Sequence, residues 1–350
     1  MIKFDNYPRV KRLVESAISD FDLDLKGMSV LTEAASGVFV VTPLIAALSG
    51  ADKVIAVTKD SYFGLASEIK EYTENWAKNF GVADRIKVSC QPSYMHAQSV
   101  DLVTNLGFVR PIDKIFIDRL PVSSAIALMW ETWEFREEDI DLESCRKRRI
   151  PVLGTNEKDS RLNIFRYVGL LAVKLLFEAG VEVFKSNVLL IGSGHFGKET
   201  KKVLQLNGCN PVHIDPCENW LEKIKGLKHI IKSLDAIVLV EHKVRFPLLG
   251  GDTGILLDWL VGTGIRVIHV CGNIDYKGLE ELNIKKYPPR KVDFGYMTVT
   301  TDYVGPRPVI DLHTAGLKVG EALVKGMRKY RAPEKAIKYA LENSPAMDFV

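Results

Sequence analysis

Short runs of β-branched and other apolar residues alternate with helix-like stretches along almost the whole chain. Such runs are typical of strands that are covered on both faces, and their alternation with helices predicts parallel sheets. The runs fall into two sets: MSVLT, KVIAVT, RIKVS, DLVTNL, SAIALM and IPVLGT, then NVLLIG, NPVHID, AIVLVE and RVIHVCG. These are too many strands for one typical sheet. The sequence therefore predicts an α/β protein with two doubly wound parallel-sheet domains.

The length of 350 residues also favours two domains. Between the two sets lies the segment RLNIFRYVGLLAVKLLFEAG, which is apolar on two faces of a helix. It is either a connector buried between the domains or an ordinary core helix. We predict a first α/β domain over residues 1–158, a second α/β domain over 159–312, and C-terminal helices over 313–350 that return to the first domain.

Charge and cysteine content exclude several classes of protein. The formal net charge is only +3, which does not favour nucleic acid or an anionic membrane as a partner. The five cysteines include no CxxC pair, and no metal site is expected. The opening MIKFDNYPRVKR lacks the apolar core of a signal peptide, and no apolar stretch is long enough to cross a bilayer. We expect a reduced, cytoplasmic protein.

The most specific motif is the string GSGHFG, which follows one predicted strand and opens a helix. In a dinucleotide-binding loop, the first glycine allows a tight turn, the second lets the backbone approach the pyrophosphate, and the third lets helix pack on strand. The predicted cofactor-binding residues of the loop are Gly192, Ser193, Gly194, His195, Phe196 and Gly197. The alternative is a glycine turn that only closes a βαβ unit.

Asp215 ends the strand after this loop, at the position where an acid binds the ribose hydroxyls. No arginine follows it to accept a 2′-phosphate, so the motif favours NAD over NADP as the cofactor. The domain over residues 159–312 is therefore predicted to be a Rossmann NAD-binding domain, and the domain over 1–158 to bind the substrate. A later strand ends in LVEHKVRF, which places Glu241 and His242 toward the cofactor crevice. We predict a cofactor contact for Glu241. His242 either contacts the nicotinamide side or is an ordinary polar residue at a strand end.

This layout resembles the formate/glycerate and D-2-hydroxyacid dehydrogenase superfamily, of which the chain would be a divergent member. The likeness rests on IPVLGTNE with the helix after it, on the GSGHFG unit ending at Asp215, and on VIDLHTAGLKVGEAL. The resemblance implies that His313 exchanges a proton with a substrate hydroxyl or carbonyl. Cys271 stands where that family has an arginine for the substrate carboxylate. The adenosylhomocysteinase family shares a similar plan and also holds NAD.

Asp311 precedes His313 by two residues. If this stretch is extended, both side chains share a face and Asp311 orients the imidazole; if a helix starts here, Asp311 is only a cap. A catalytic imidazole predicts a single ionisation between roughly pH 6 and 8. Gly316 and Gly320 predict close packing of the following helix, against the earlier apolar helix near Gly169.

Loops that follow the strands of the first sheet are expected to carry the substrate. In the string MWETWEFRE, two tryptophans form walls around charged groups, or the string is the start of a helix with solvated acids. One arginine beside a proline either pairs with an anionic substrate or lies on the surface. The candidate substrate-binding residues are Arg110, Glu131, Glu134, Arg136 and Asn156.

The expected function is an NAD-dependent oxidoreductase that moves a hydride between nicotinamide and a CH–OH carbon. Its substrate is expected to be a small polar or anionic molecule in the cleft between the domains, and a homodimer is expected because dimers are common among such enzymes. One alternative is an NAD-containing lyase or hydrolase of the adenosylhomocysteinase type. A second is an NAD-sensing subunit without activity. The stretch around Glu33 also resembles the opening of a class I methyltransferase, although its glycine pattern is poor.

Overall fold

The computed structural model describes residues 5–349 and divides the chain into two compact units. The first unit comprises the chain up to Leu162 together with the segment from Pro306 onward, and the second comprises Asn163–Gly305. The predicted boundary between 312 and 313 is wrong, because it falls inside the continuous helix Arg307–Tyr330.

The strands, numbered in chain order, are β1 (Ser29–Glu33), β2 (Lys53–Val57), β3 (Ile86–Ser89), β4 (Leu102–Thr104), β5 (Ala125–Ala127), β6 (Val152–Thr155), β7 (Asn187–Ile191), β8 (Asn210–Ile214), β9 (Ala236–Val240), β10 (Arg266–Cys271), β11 (Lys286–Tyr287) and β12 (Ala346–Met347). The ten predicted strands are β1 to β10, so the predicted α/β fold class is confirmed. The prediction missed β11 and β12, which have two residues each and therefore no readable periodicity.

The helices, numbered in the same way, are α1 (Tyr7–Asp20), α2 (Val41–Leu48), α3 (Ala66–Phe80), α4 (Lys114–Ile117), α5 (Leu142–Arg148), α6 (Ile164–Glu178), α7 (Gly194–Leu206), α8 (Trp220–Leu227), α9 (Tyr276–Glu281), α10 (Arg307–Tyr330) and α11 (Pro333–Asn343).

The sheet of the first unit has the strand order β12-β6-β5-β4-β1-β2-β3. All its strands are parallel except β12, which pairs with β6 in the antiparallel sense. Helices cover both faces, and the strand residues alternate between them. Val30 of β1 belongs to a core with α1, α2 and α10, whereas Leu31 belongs to a core with α4 and α5. Strands β2 and β3 are added on one side of β1, and β4, β5 and β6 on the other, so the strand order reverses between β1 and β4. Open α/β sheets bind their ligands at such a reversal point.

Helix α10 lies directly on this sheet because two of its residues lack side chains. A Cβ added to Gly316 would lie 2.5 Å from Cε of Met129, and one added to Gly320 would collide with the side chain of Leu102. The predicted packing of these glycines near Gly169 is therefore wrong. Their partners are residues of β4 and of the segment after β5, which a helix–helix interpretation of small residues does not consider.

The second unit has an all-parallel sheet with the strand order β11-β10-β9-β7-β8. Helix α6 packs along α7, and a Cβ on Gly169 would lie 2.7 Å from Cβ of Val203. Along β7, Val188 and Leu190 share a core with these helices, while Leu189 and Ile191 face the opposite core. Strand β8 is added on one side of β7, and β9, β10 and β11 on the other, so the strand order reverses between β7 and β9. At this reversal point the carboxyl ends of the strands open a crevice.

Among the described residues, no helix combines the length and the apolar composition that are needed to cross a membrane.

Candidate functional site

The glycine-rich loop leaves β7 at the reversal point of the second sheet and leads into α7. A Cβ on Gly192 would lie 2.5 Å from Cγ2 of Val240, and one on Gly197 would collide with the carbonyl oxygen of Gly192. These two glycines allow strand and helix to touch. Gly194 has a φ of +55°, in the left-handed region. The N–H groups of the first turn of α7 have no acceptor inside the helix, an arrangement that can attract an anion.

Glu241 follows β9 and connects the two loops of the reversal point. It is completely buried, and its Oε2 accepts a hydrogen bond from the backbone N–H of Ser193 at 2.7 Å. Its Oε1 accepts from the Ser193 hydroxyl at 3.0 Å and from the backbone N–H groups of Lys243 and Val244 at 2.5 and 3.2 Å. The carboxylate, which the sequence predicted to contact the cofactor, is thus bonded to the protein backbone.

Asp215 lies at the end of β8, half-buried, and its Oδ1 accepts a hydrogen bond from the N–H of Cys217 at 2.9 Å. It lines a pocket of about 660 Å³ together with charged residues of α7 and of the loop after β8. The Asp215 carbonyl oxygen lies 3.4 Å from Nζ of Lys223. The lysines of this pocket, Lys198, Lys201, Lys202 and Lys223, are charges that the sequence analysis did not consider.

Four rings lie together at the mouth of the glycine-rich loop. His195 stacks on Phe165 of α6 with ring centres 5.2 Å apart, and Phe196 lies 4.4 Å from the ring of His242. Phe165 and Phe196 are themselves 5.6 Å apart. The structure therefore brings His242 to the loop, as the sequence predicted, and adds Phe165 as an aromatic wall.

His313 lies in the interior of α10 and is only 4% exposed. Its Nδ1 is hydrogen-bonded to Oγ1 of Thr42, at 2.6 Å. Burial lowers the pKa of the imidazole to about 4. The ionisation predicted between roughly pH 6 and 8 therefore does not fit this environment. Thr42, which the sequence analysis did not single out, is the residue that orients the ring.

Asp311 does not orient His313. Both residues belong to α10, and side chains two positions apart in a helix point to different sides. Asp311 instead lies 3.9 Å from the guanidinium of Arg307, and burial raises its pKa to about 6. It is not a cap either, because the helix begins four residues earlier. The extended conformation that would pair Asp311 with His313 is wrong.

Three glutamates meet at the carboxyl ends of β5 and β6. Glu131 is 2% exposed, and its Oε2 accepts a hydrogen bond from the indole of Trp133 at 2.5 Å. Glu134 lies at an exposed position, and its carboxyl group is close enough to those of Glu131 and Glu157 for the charges to interact. Burial and the nearby Glu131 raise the pKa of Glu134 to about 7, and burial raises the pKa of Glu157 well above its usual range. The sequence analysis missed Glu157 as a member of this cluster.

The other predicted substrate-binding residues are spread around this edge. Nη1 of Arg110 lies 2.5 Å from Oδ2 of Asp139, and its guanidinium stacks over Trp130 at 5.4 Å from the ring centre. Arg136 is half-buried and close enough to Glu134 to lower the pKa of that carboxyl group, against the larger effect of burial. The backbone N–H of Asn156 donates to the carbonyl of Pro345 at 2.8 Å. The charge of Arg110 is thus already paired.

Within residues 5–349, no group of three or more histidine, cysteine or acidic side chains has the geometry to hold a metal ion. Cys271, at the end of β10, is buried, and burial raises its pKa. A neutral thiol therefore stands where the resemblance led us to look for a cationic arginine.

No model of a known protein family matches the sequence, and no curated protein matches it either. Solved structures share its fold. A dipicolinate synthase chain from Bacillus halodurans is 12% identical, with a TM-score of 0.53 over 83% of this chain and 96% of that one. The corresponding dipicolinate synthase chain from Bacillus subtilis is 12% identical, with a TM-score of 0.52 over 89% and 99%. A protein assigned as a D-3-phosphoglycerate dehydrogenase from Ralstonia solanacearum is 11% identical, with a TM-score of 0.50 over 90% and 99%.

These similarities concern the fold. They extend over nearly the full length of each structure and include the dehydrogenase type that the sequence resembles. The predicted resemblance to that superfamily is confirmed for the architecture, and for the architecture alone.

Proposed function

We propose that the chain is an NAD-dependent oxidoreductase acting on a CH–OH carbon of a small polar or anionic substrate. The observation that carries the proposal is the GSGHFG loop, which lies at the reversal point of a parallel sheet with Asp215 at the end of the neighbouring strand. The name of one structural neighbour, a D-3-phosphoglycerate dehydrogenase, agrees with this chemistry.

The residues of the second unit fit a dinucleotide. The open face of Gly194 and the free N–H groups at the start of α7 suit a pyrophosphate, and the carboxylate of Asp215 suits two ribose hydroxyls. His242 and the aromatic wall of Phe165 and Phe196 suit the flat rings of a cofactor. When bound, NAD supplies the hydride acceptor, and the protein positions it.

The first unit supplies the proton-transfer group in this proposal. Thr42 holds the ring of His313 through Nδ1, which leaves Nε2 for the substrate hydroxyl. Because burial keeps the imidazole neutral at neutral pH, Nε2 accepts the hydroxyl proton as the hydride leaves the carbon. Arg136 and the glutamates at the ends of β5 and β6 form the polar surroundings that select a small polar substrate.

Binding and turnover test this function separately. Calorimetric titration with NAD and with NADP should show a preference for NAD that narrows in Asp215→Ala, because the carboxylate would repel a 2′-phosphate. Glu222→Ala, on the exposed side of α8, is the matched control. Tighter binding of NADP to the wild-type protein would contradict the role given to Asp215.

Turnover is tested by NADH formation with a panel of hydroxy acids, sugars and amino acids. His313→Gln should lose about 10²- to 10⁴-fold in rate while keeping its NAD affinity. Undiminished turnover in this variant would move the proton transfer to His242 or to Glu131 and Glu134. NAD binding without net NADH formation from any substrate would favour a lyase or hydrolase that recycles its NAD, or a sensing subunit.

A further inference from the structure

Lys243 lies over the open side of the glycine-rich loop. Its Nζ is 3.2 Å from the position that a Cβ on Gly194 would occupy. In a dinucleotide-binding loop this open side faces the pyrophosphate, since the second glycine is there to let the phosphates approach the backbone. The ammonium group therefore lies where the phosphate charge of a dinucleotide would be.

The position of Lys243 is set by the buried carboxylate of Glu241. Glu241 accepts hydrogen bonds from the backbone of Ser193 in one loop and from the backbone of Lys243 in the other. This bond fixes the main chain of Lys243 beside the start of α7, while its side chain remains exposed. Within the described part of the chain, no carboxylate forms an ion pair with its ammonium group.

We propose that Lys243 binds the phosphates of the dinucleotide, and that Glu241 is the positioning residue that holds it there. This inference rests on the proposed function, because it names a phosphate-binding residue of the same cofactor site. The free N–H groups at the start of α7 and the Lys243 ammonium lie on the same side of the loop and attract the same anion. When the phosphates bind, the ammonium moves aside from Gly194 and pairs with their oxygens.

Three variants and three ligands test the proposal. Lys243→Met removes the charge and keeps the length, Lys243→Arg restores the charge, and Lys225→Met removes an exposed lysine of α8 as the control. The ligands are NAD, inorganic pyrophosphate and adenosine, with the first two measured by calorimetry and adenosine by ligand-observed NMR. Thermal unfolding checks that each variant is folded.

Lys243→Met should weaken the binding of NAD and pyrophosphate by about tenfold or more, as expected for the loss of one charge-assisted contact. It should leave adenosine binding unchanged, and the affinities should return in Lys243→Arg. The salt dependence of NAD binding should also become weaker in Lys243→Met.

The outcomes separate this inference from the proposed function. Unchanged NAD affinity in Lys243→Met, or an equal loss for adenosine, overturns the role of Lys243 and leaves the NAD-binding proposal standing. A wild-type protein that binds pyrophosphate through Lys243 but does not bind NAD keeps the phosphate site and overturns the proposed function. A wild-type protein that binds neither ligand overturns both.

Discussion

Acidification should destabilise the first unit through His313. The folded protein holds this imidazole with a pKa of about 4, whereas its ordinary value is 6.5. Between these values the unfolded chain binds a proton that the folded chain does not, so stability falls as pH decreases below 6.5 and levels off below about pH 4. The free energy of unfolding falls by about 2 kcal/mol at pH 5 relative to neutral pH, and the loss approaches roughly 3 kcal/mol at lower pH.

The perturbation is His313→Gln, which cannot titrate and keeps an amide to hydrogen-bond with Thr42. Urea unfolding at pH 7.5 and pH 5.0 gives the free energy of unfolding of each protein. The wild-type protein should lose about 2 kcal/mol more than the variant between these two values of pH. His269 is also fully buried with its pKa lowered to about 4, but it is present in both proteins and cancels in the difference.

His229→Gln replaces an exposed histidine and should behave like the wild-type protein. An NMR titration of the histidine ring signals measures the His313 pKa directly. If His313 titrates above pH 6, or if wild type and His313→Gln lose equal stability, the folded protein does not hold the ring neutral, and the reasoning is refuted.

Three further changes test the packing and charge around the two reversal points. Glu241→Gln turns one acceptor oxygen into an NH₂ donor that faces backbone N–H groups. Calorimetry should show that the free energy of unfolding falls by about 1–3 kcal/mol and that NAD binds more weakly. In the folded protein the pKa of Glu157 is raised, so wild type loses stability as pH rises from the ordinary value of 4.5 to the raised value; Glu157→Gln should therefore be more stable than wild type at pH 8, by about 1.4 kcal/mol per unit of that shift, with no such gain at pH 4. Gly197→Ala should cost about 1–3 kcal/mol because its methyl group meets backbone, whereas Gly226→Ala in α8 meets nothing and should gain about 0.5–1 kcal/mol in thermal unfolding.

Local patterns predicted the parts of the fold that local forces determine. Each strand from β1 to β10 carries a short apolar run bounded by polar or turn residues, and each was predicted. The start of α10 was missed because Asp311 and His313 fit both a helix and an extended segment. The helix is formed there because its buried face packs on the sheet, a contact with residues far away in the sequence.

The residues of the candidate site also fall into those that local patterns place together and those that only the fold brings together. The GSGHFG loop and Asp215 lie within one βαβ unit, so spacing alone placed them beside one another. Thr42 and His313 are 271 positions apart, and no periodicity connects them. The sequence indicates only that Glu157 ends a polar loop, and its proximity to Glu134 depends on the pairing of β5 with β6. Contacts between residues that are distant in the sequence and meet only because their strands are neighbours in the sheet can be found only from the three-dimensional structure.

Two buried glutamates show why a strand-ending acid is ambiguous in a sequence. Glu33 ends β1 and Glu241 follows β9, each at the reversal point of its own sheet. Glu33 accepts the backbone N–H of Phe108 at 3.1 Å, and Glu241 accepts that of Ser193 at 2.7 Å. At a reversal point the neighbouring loops diverge and leave backbone N–H groups without partners, which are costly when buried. A buried carboxylate at this point accepts hydrogen bonds from these N–H groups. An acid at this position therefore holds two neighbouring loops through their backbone N–H groups, so a strand-ending acid is explained by the fold before any ligand is considered.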